Sequence, residues 1–167
     1  MQTFLPARRA ILFGAAATGL VAASSNVLAG GADANFVNSP FRHLTPADWH
    51  KKLSADSFAV LREEATETPG TSPLLNEHRK GTFVCIGCEL PLFKSDWKFD
   101  SGTGWPSFYR ALDSGIQKKA DFKICVPRTE YHCARCLGHQ GHVFDDGPRP
   151  TGLRYCNNGV ALKFVAA

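Results

Sequence analysis

The residues best equipped for chemistry crowd between Tyr131 and Asn158, in the run YHCARCLGHQGHVFDDGPRPTGLRYCNN. Cys156 supplies a thiol whose thiolate is a nucleophile, and His139 and His142 supply imidazoles that titrate near neutral pH. A Gly/Pro-rich stretch from Asp146 to Gly152 separates them, and such a stretch signals a chain reversal between short strands. A strand near His142-Val143-Phe144 would then lie beside one near Leu153-Arg154-Tyr155, with Cys156 and the imidazoles on one face. That is a Cys/His arrangement suited to nucleophilic catalysis. Arg154, if it lies close, would favour the thiolate.

A second chemistry is written in two Cys-x-x-Cys pairs, Cys85/Cys88 and Cys133/Cys136. Each two-residue gap lets a tight knuckle turn both sulfurs inward, and two knuckles make a tetrahedral four-thiolate zinc site. Four protein ligands leave no open position, so one structural Zn2+ per chain is expected. Two disulfides or a redox dithiol are the rival readings, and six cysteines in an exported chain would ordinarily suggest disulfides. A single Cys-x-x-Cys is weak evidence; the paired form favours metal.

Several separated motifs resemble the B-type methionine sulfoxide reductases, which reduce methionine-R-sulfoxide. They are Ser101-Gly102-Thr103-Gly104-Trp105-Pro106-Ser107-Phe108, Gly141-His142-Val143-Phe144, Asp146-Gly147-Pro148, Pro150-Thr151-Gly152 and Arg154-Tyr155-Cys156. They occur in the family's order, and the resemblance spans roughly Thr45 to Phe164. It implies that Cys156 attacks the sulfoxide sulfur and is left as a sulfenic acid. It further implies His142 as the proton donor, with His139 and Asn158 orienting the substrate oxygen or a water. Arg154 would favour the thiolate and orient the substrate, and Trp105 would receive the S-methyl group. Many relatives carry a resolving cysteine where this chain has Thr103. With four thiols on zinc, Cys125 is then the remaining in-chain candidate to resolve the sulfenic acid. Oxidised proteins and a thioredoxin-like or other thiol reductant are the implied partners. Gln140 stands where many relatives have Leu, and Thr66-Glu67 resembles a family motif to which no role is assigned.

The elements that must hold these residues read as a mainly β fold, with antiparallel sheets and short N-terminal helices. Thr45 caps a helix opened by Pro46, with Trp49 and Leu53 on one face. Ser54 starts another, with Phe58, Leu61 and Ala65 at helical spacing, expected to end near Thr68-Pro69-Gly70. Candidate strands follow at Gly81 to Cys85, Trp97 to Asp100, Ile124 to Cys133, Val143 to Asp145, Arg154 to Cys156 and Val160 to Phe164.

The first 34 residues read as an export signal, with Arg8-Arg9 before a mildly apolar stretch resembling a twin-arginine leader. That stretch is shorter than a membrane span, so no stable anchor is expected and the mature chain would work outside the cytoplasm, in the periplasm. Residues 35–44 read as a linker or extended arm before a domain at 45–167. The net charge of +4 is too mild to argue for a nucleic-acid partner, and a monomer is expected. The rival function is a zinc-stabilised protein- or nucleic-acid-binding module without catalysis. It accounts for the four paired cysteines but not for Cys156, Arg154 and the two histidines.

Overall fold

Both α-helices among the described residues begin at side-chain caps. Thr45 and Asp48 exchange hydrogen bonds with each other's backbone at the start of α1 (Pro46–Lys52), a capping box. Ser54 accepts from Ser57 at the start of α2 (Ala55–Glu63). That second helix stops several residues before the expected Thr68-Pro69-Gly70 boundary. Glu64 adopts left-handed backbone and the Ala65 N–H closes on the Ala59 carbonyl at 3.0 Å, a Schellman-type end that precedes any proline. The chain beyond it is thereby free to run extended past the sheet.

A computed structural model describes residues 35–167; the expected export signal lies outside the described residues. Among the described residues nine strands form two antiparallel sheets. The smaller contains β1 (Gly81–Cys85), β2 (Pro91–Lys94) and β9 (Leu162–Ala166) in the order β2-β1-β9. The larger contains β3 (Lys98–Phe99), β4 (Ser107–Phe108), β5 (Ile116–Asp121), β6 (Arg128–Cys133), β7 (His139–Phe144) and β8 (Arg154–Asn157), in the order β3-β4-β8-β7-β6-β5. The mainly β, antiparallel expectation with short N-terminal helices therefore holds. Strands β2, β4 and β5 were not among the candidates. The strand expected from Ile124 begins only at Arg128, because the exposed residues before it form a loop.

The core lies where the two sheets meet. Phe93 of β2 stacks on Phe108 of β4 with ring centroids 4.2 Å apart, and Tyr131 and Tyr155 meet edge-on at 5.4 Å. Side chains alternate along a strand, so Tyr131 and Tyr155 facing inward turn Glu130, His132, Arg154 and Cys156 to the opposite face. The packing of two tyrosines thus sets the direction of the Cys156 side chain. Residues 35–44, expected as a linker or arm, carry a short 3-10 turn at Pro40–Arg42 and pack Phe36, Phe41 and Leu44 against the core.

Candidate active site

Cys156 and His142 are register partners across β7 and β8, and Glu130 of β6 and Ser107 of β4 continue the same row. Directly opposed antiparallel residues share a face with Cβ atoms roughly 4.5–5.5 Å apart. Gly141 makes this close pairing possible, since any side chain there would strike the Cys156 carbonyl. His139 reaches the same face by a bulge. Tyr131 pairs with Gly141 but His132 pairs with His139, leaving Gln140 as the extra residue. A spacing of three would put His139 and His142 on opposite faces of a regular strand; the bulge brings their rings to 5.5 Å.

Two carboxylates that the sequence reading did not single out hold these imidazoles. Asp121 Oδ2 lies 2.7 Å from His142 Nε2, and Glu130 Oε1 lies 2.7 Å from His139 Nδ1. Hydrogen bonds from the Lys123 backbone and from His142 hold Asp121 well below the usual carboxylate range. It is therefore an acceptor, and His142 donates its Nε2–H. Burial works to raise Glu130, but hydrogen bonds with His132 and His139 outweigh it and hold the carboxyl at about 2. His142 itself is pushed below its ordinary value, chiefly by burial, so it is neutral at neutral pH.

Burial also pushes the Cys156 thiol up, with Arg154 and a hydrogen bond from Thr103 pulling the other way. Asp146 shares the Arg154 guanidinium, through Nε and Nη2 bonds of 2.8 Å each, while the guanidinium carbon sits 4.3 Å from the centroid of the Phe144 ring. Thr103 ends a chain of hydroxyls, Ser107 to Ser101 to Thr103, each link 2.8 Å.

Trp105, Phe144, His142, Cys156 and Asn158 line a cavity of about 120 Å3. Thr66 closes one side of it, on the extended chain that the early end of α2 releases. Trp105 Nε1 donates to the Glu67 carbonyl at 2.9 Å, and the Glu67 N–H donates to Asn158 Oδ1 at 2.8 Å. Asn158 Nδ2 in turn donates to the Gln140 carbonyl at 2.9 Å. One amide hydrogen of Asn158 remains beyond these bonds. Glu67 also caps Gly159 through its carboxylate, so the Thr66-Glu67 pair braces the cavity wall. Cys125 is not among the residues lining this cavity; it is exposed in the loop between β5 and β6.

The two Cys-x-x-Cys pairs come together as buried free thiols, all four sulfurs within 4.8 Å of one another. Cys85 and Cys136 are 3.6 Å apart and Cys88 and Cys133 are 3.4 Å apart. A tetrahedron of thiolates around zinc has sulfurs ~3.8 Å apart, so the set fits a metal ion with little adjustment. Both knuckles close alike: Glu89 N–H bonds the Cys85 carbonyl at 2.8 Å and Leu137 N–H bonds the Cys133 carbonyl at 2.9 Å. Glu89 and Leu137 both take left-handed backbone to do so. Beside them Gln140, fully buried, donates from Nε2 to Cys85 Sγ at 3.5 Å.

A family model described as the SelR domain matches residues 53–166. A protein of Bradyrhizobium diazoefficiens named peptide methionine sulfoxide reductase MsrB is 54% identical over 116 residues, covering 69% of this chain and 84% of that one. Proteins with the same name from Leptospira interrogans and Agrobacterium fabrum are 49% and 46% identical, over 70% and 77% of this chain and 90% and 96% of theirs.

Proposed function

The chain belongs to the SelR domain family, and we propose that it reduces methionine-R-sulfoxide, mainly in proteins, to methionine. The observation that carries this reading is the pairing of Cys156 with His142 on the wall of a cavity closed by Trp105 and Phe144. An S-methyl group finds apolar surface on the two rings, while the sulfoxide sulfur meets the thiol. Cys156 and the neutral imidazole begin with one exchangeable proton between them. His142, held at Nε2 by Asp121, takes the thiol proton at Nδ1 and passes it to the sulfoxide oxygen as sulfur attacks sulfur. The S–O bond of the substrate breaks, methionine leaves, and Cys156 carries the oxygen as a sulfenic acid. Atoms balance: thiol plus sulfoxide gives sulfenic acid plus thioether.

Arg154 stabilises the thiolate as it forms, and Asn158 offers its remaining amide hydrogen to the substrate oxygen. His139, fixed by Glu130, orients that oxygen or an intervening water. A thioredoxin-like or other thiol reductant restores Cys156, with Cys125 as the candidate resolving residue. Cys85, Cys88, Cys133 and Cys136 hold one Zn2+, which contributes folding energy and no step of the reaction. The chain acts as a monomer after export to the periplasm, led there by Arg8-Arg9. A stereodefined sulfoxide assay tests the reading. Reduction of the R epimer that disappears in Cys156→Ser, with zinc retained, is expected; activity on neither epimer favours a non-catalytic binding module.

A further inference from the structure

The catalytic cavity holds about one side chain, so a polypeptide delivering an oxidised methionine must lie on the surface outside it. A groove of about 620 Å3 adjoins the cavity round the end of the large sheet, and Arg128 and Phe144 line both. Its walls come from the β5–β6 loop, with Ile124, Val126 and Pro127, and from the β7–β8 connection, with Leu153. The β5–β6 loop is unusual in another way. Phe122, Ile124 and Val126 are 73%, 49% and 64% exposed, three of the six large hydrophobics left exposed among the described residues. Exposed apolar surface gathered in five residues beside a functional cavity marks an interaction site rather than chance.

We propose that this groove docks the polypeptide flanking the methionine sulfoxide, and selects segments whose neighbouring side chains are apolar. The inference rests on the reductase reading and extends it to substrate choice. Apolar flanks fit because the wall offers Ile124, Val126, Pro127 and Leu153, and burying them gains free energy in proportion to area. Such flanks are also the chemistry of segments that belong in a protein's interior. Continuity through Arg128 and Phe144 favours the substrate chain over a reductant as occupant, since a main chain leaving the cavity past these two residues, round the end of the sheet, reaches the groove.

The test uses the full protein with dithiothreitol as reductant, so no protein reductant is required. Three substrates are compared: N-acetyl-methionine-R-sulfoxide amide, a peptide with the R-sulfoxide between Leu and Val, and a peptide with it between Ser and Gly. The wild-type protein should favour the Leu/Val peptide over the Ser/Gly peptide in kcat/KM. In the Ile124→Ser/Val126→Ser variant the Leu/Val peptide should lose about tenfold, while the other two substrates change less than twofold. Equal rates for both peptides with wild-type protein would overturn the proposal without any variant. So would a uniform loss across the three substrates, or, in a parallel assay with thioredoxin as reductant, a loss confined to that turnover, which would assign the groove to the reductant. Failure of wild-type protein to reduce even the blocked amino acid would instead defeat the underlying reductase reading.

Discussion

His142 stands opposite Cys156 across the β7–β8 ladder, and burial displaces their proton affinities in opposite directions. The thiol is raised and the imidazole lowered, so at neutral pH the pair rests as thiol and neutral imidazole. The reacting proton is therefore already in the site.

The first prediction is a pH profile. His142 must be neutral to accept the thiol proton, and its depressed pKa keeps it neutral to lower pH than a free histidine. Single-turnover rates of sulfenic acid formation should stay level through neutral pH and decline only below ~6.5. Asp121 acts to raise His142, so Asp121→Asn should move that acid limb to lower pH while reducing the maximal rate. His142→Asn should cost about 10²–10⁴ in rate. An acid limb centred above the free-histidine value would contradict the assignment.

Glu130 yields a stability prediction. A carboxyl depressed in the folded protein contributes stability that is present above its unfolded value and lost as pH falls through the folded one. For Glu130 that window runs from 4.5 down to about 2, set by its hydrogen bonds with His132 and His139. Denaturant titrations at several pH values should therefore show wild type losing its advantage over Glu130→Gln across that window. Comparing the two proteins cancels the acid release of metal common to both. A constant difference between them down to pH 2 would count against the histidine-clamp role.

Much of this site was readable in the chain, for reasons that also explain what was not. Cys156, the paired knuckles and the capped helices rest on local spacing, and local spacing survives folding. The bulge at Gln140 has no such signature; the expectation that both imidazoles share a face with Cys156 is met only through it, because a regular strand would separate residues three apart. Asp121 and Glu130 are isolated carboxylates brought in by strand register, a non-local property. Glu130 had one available clue: it precedes Tyr131, and an inward Tyr131 turns it toward the histidines. The polar run Ile116–Asp121 forms the edge strand β5, where pairing with β6 overrides weak strand propensity. Conversely, Ile124 and Val126 have the composition of a strand but lie exposed in a loop that ends at Pro127.

Gln140 links the four-cysteine cluster and the cavity. Its side chain donates to Cys85 Sγ and accepts from Asn157 Nδ2, and its carbonyl anchors Asn158. Groups hydrogen-bonded to metal ligands commonly change metal affinity 10–100-fold. Gln140→Met keeps the volume but loses the amide, and should release zinc to a chelator about tenfold faster. A role in packing alone predicts an unchanged release rate. Replacing any one of Cys85, Cys88, Cys133 or Cys136 should have a larger effect, abolishing metal content and cooperative unfolding together.

The last prediction concerns how Cys156 is regenerated. Thr103 already hydrogen-bonds to Cys156, but its hydroxyl cannot attack a sulfenic acid to form a disulfide. Cys125 is the free thiol left outside the four-sulfur cluster, and its exposure leaves it open to exchange. A bridge requires Cα atoms within ~7 Å, so the loop 122–127 has to bring the exposed Cys125 within that reach of Cys156. One equivalent of methionine-R-sulfoxide, added without reductant, should remove two thiols counted under denaturing, metal-chelated conditions. Mass spectrometry should then find a Cys125–Cys156 peptide. Cys125→Ser should lose one thiol, retain a sulfenic acid, and turn over more slowly with thioredoxin than wild type. Thr103→Cys in that background should restore two-thiol loss, because position 103 already touches the nucleophile. A persistent sulfenic acid in wild type, with thioredoxin-driven turnover unchanged in Cys125→Ser, would show that an external thiol attacks Cys156 directly.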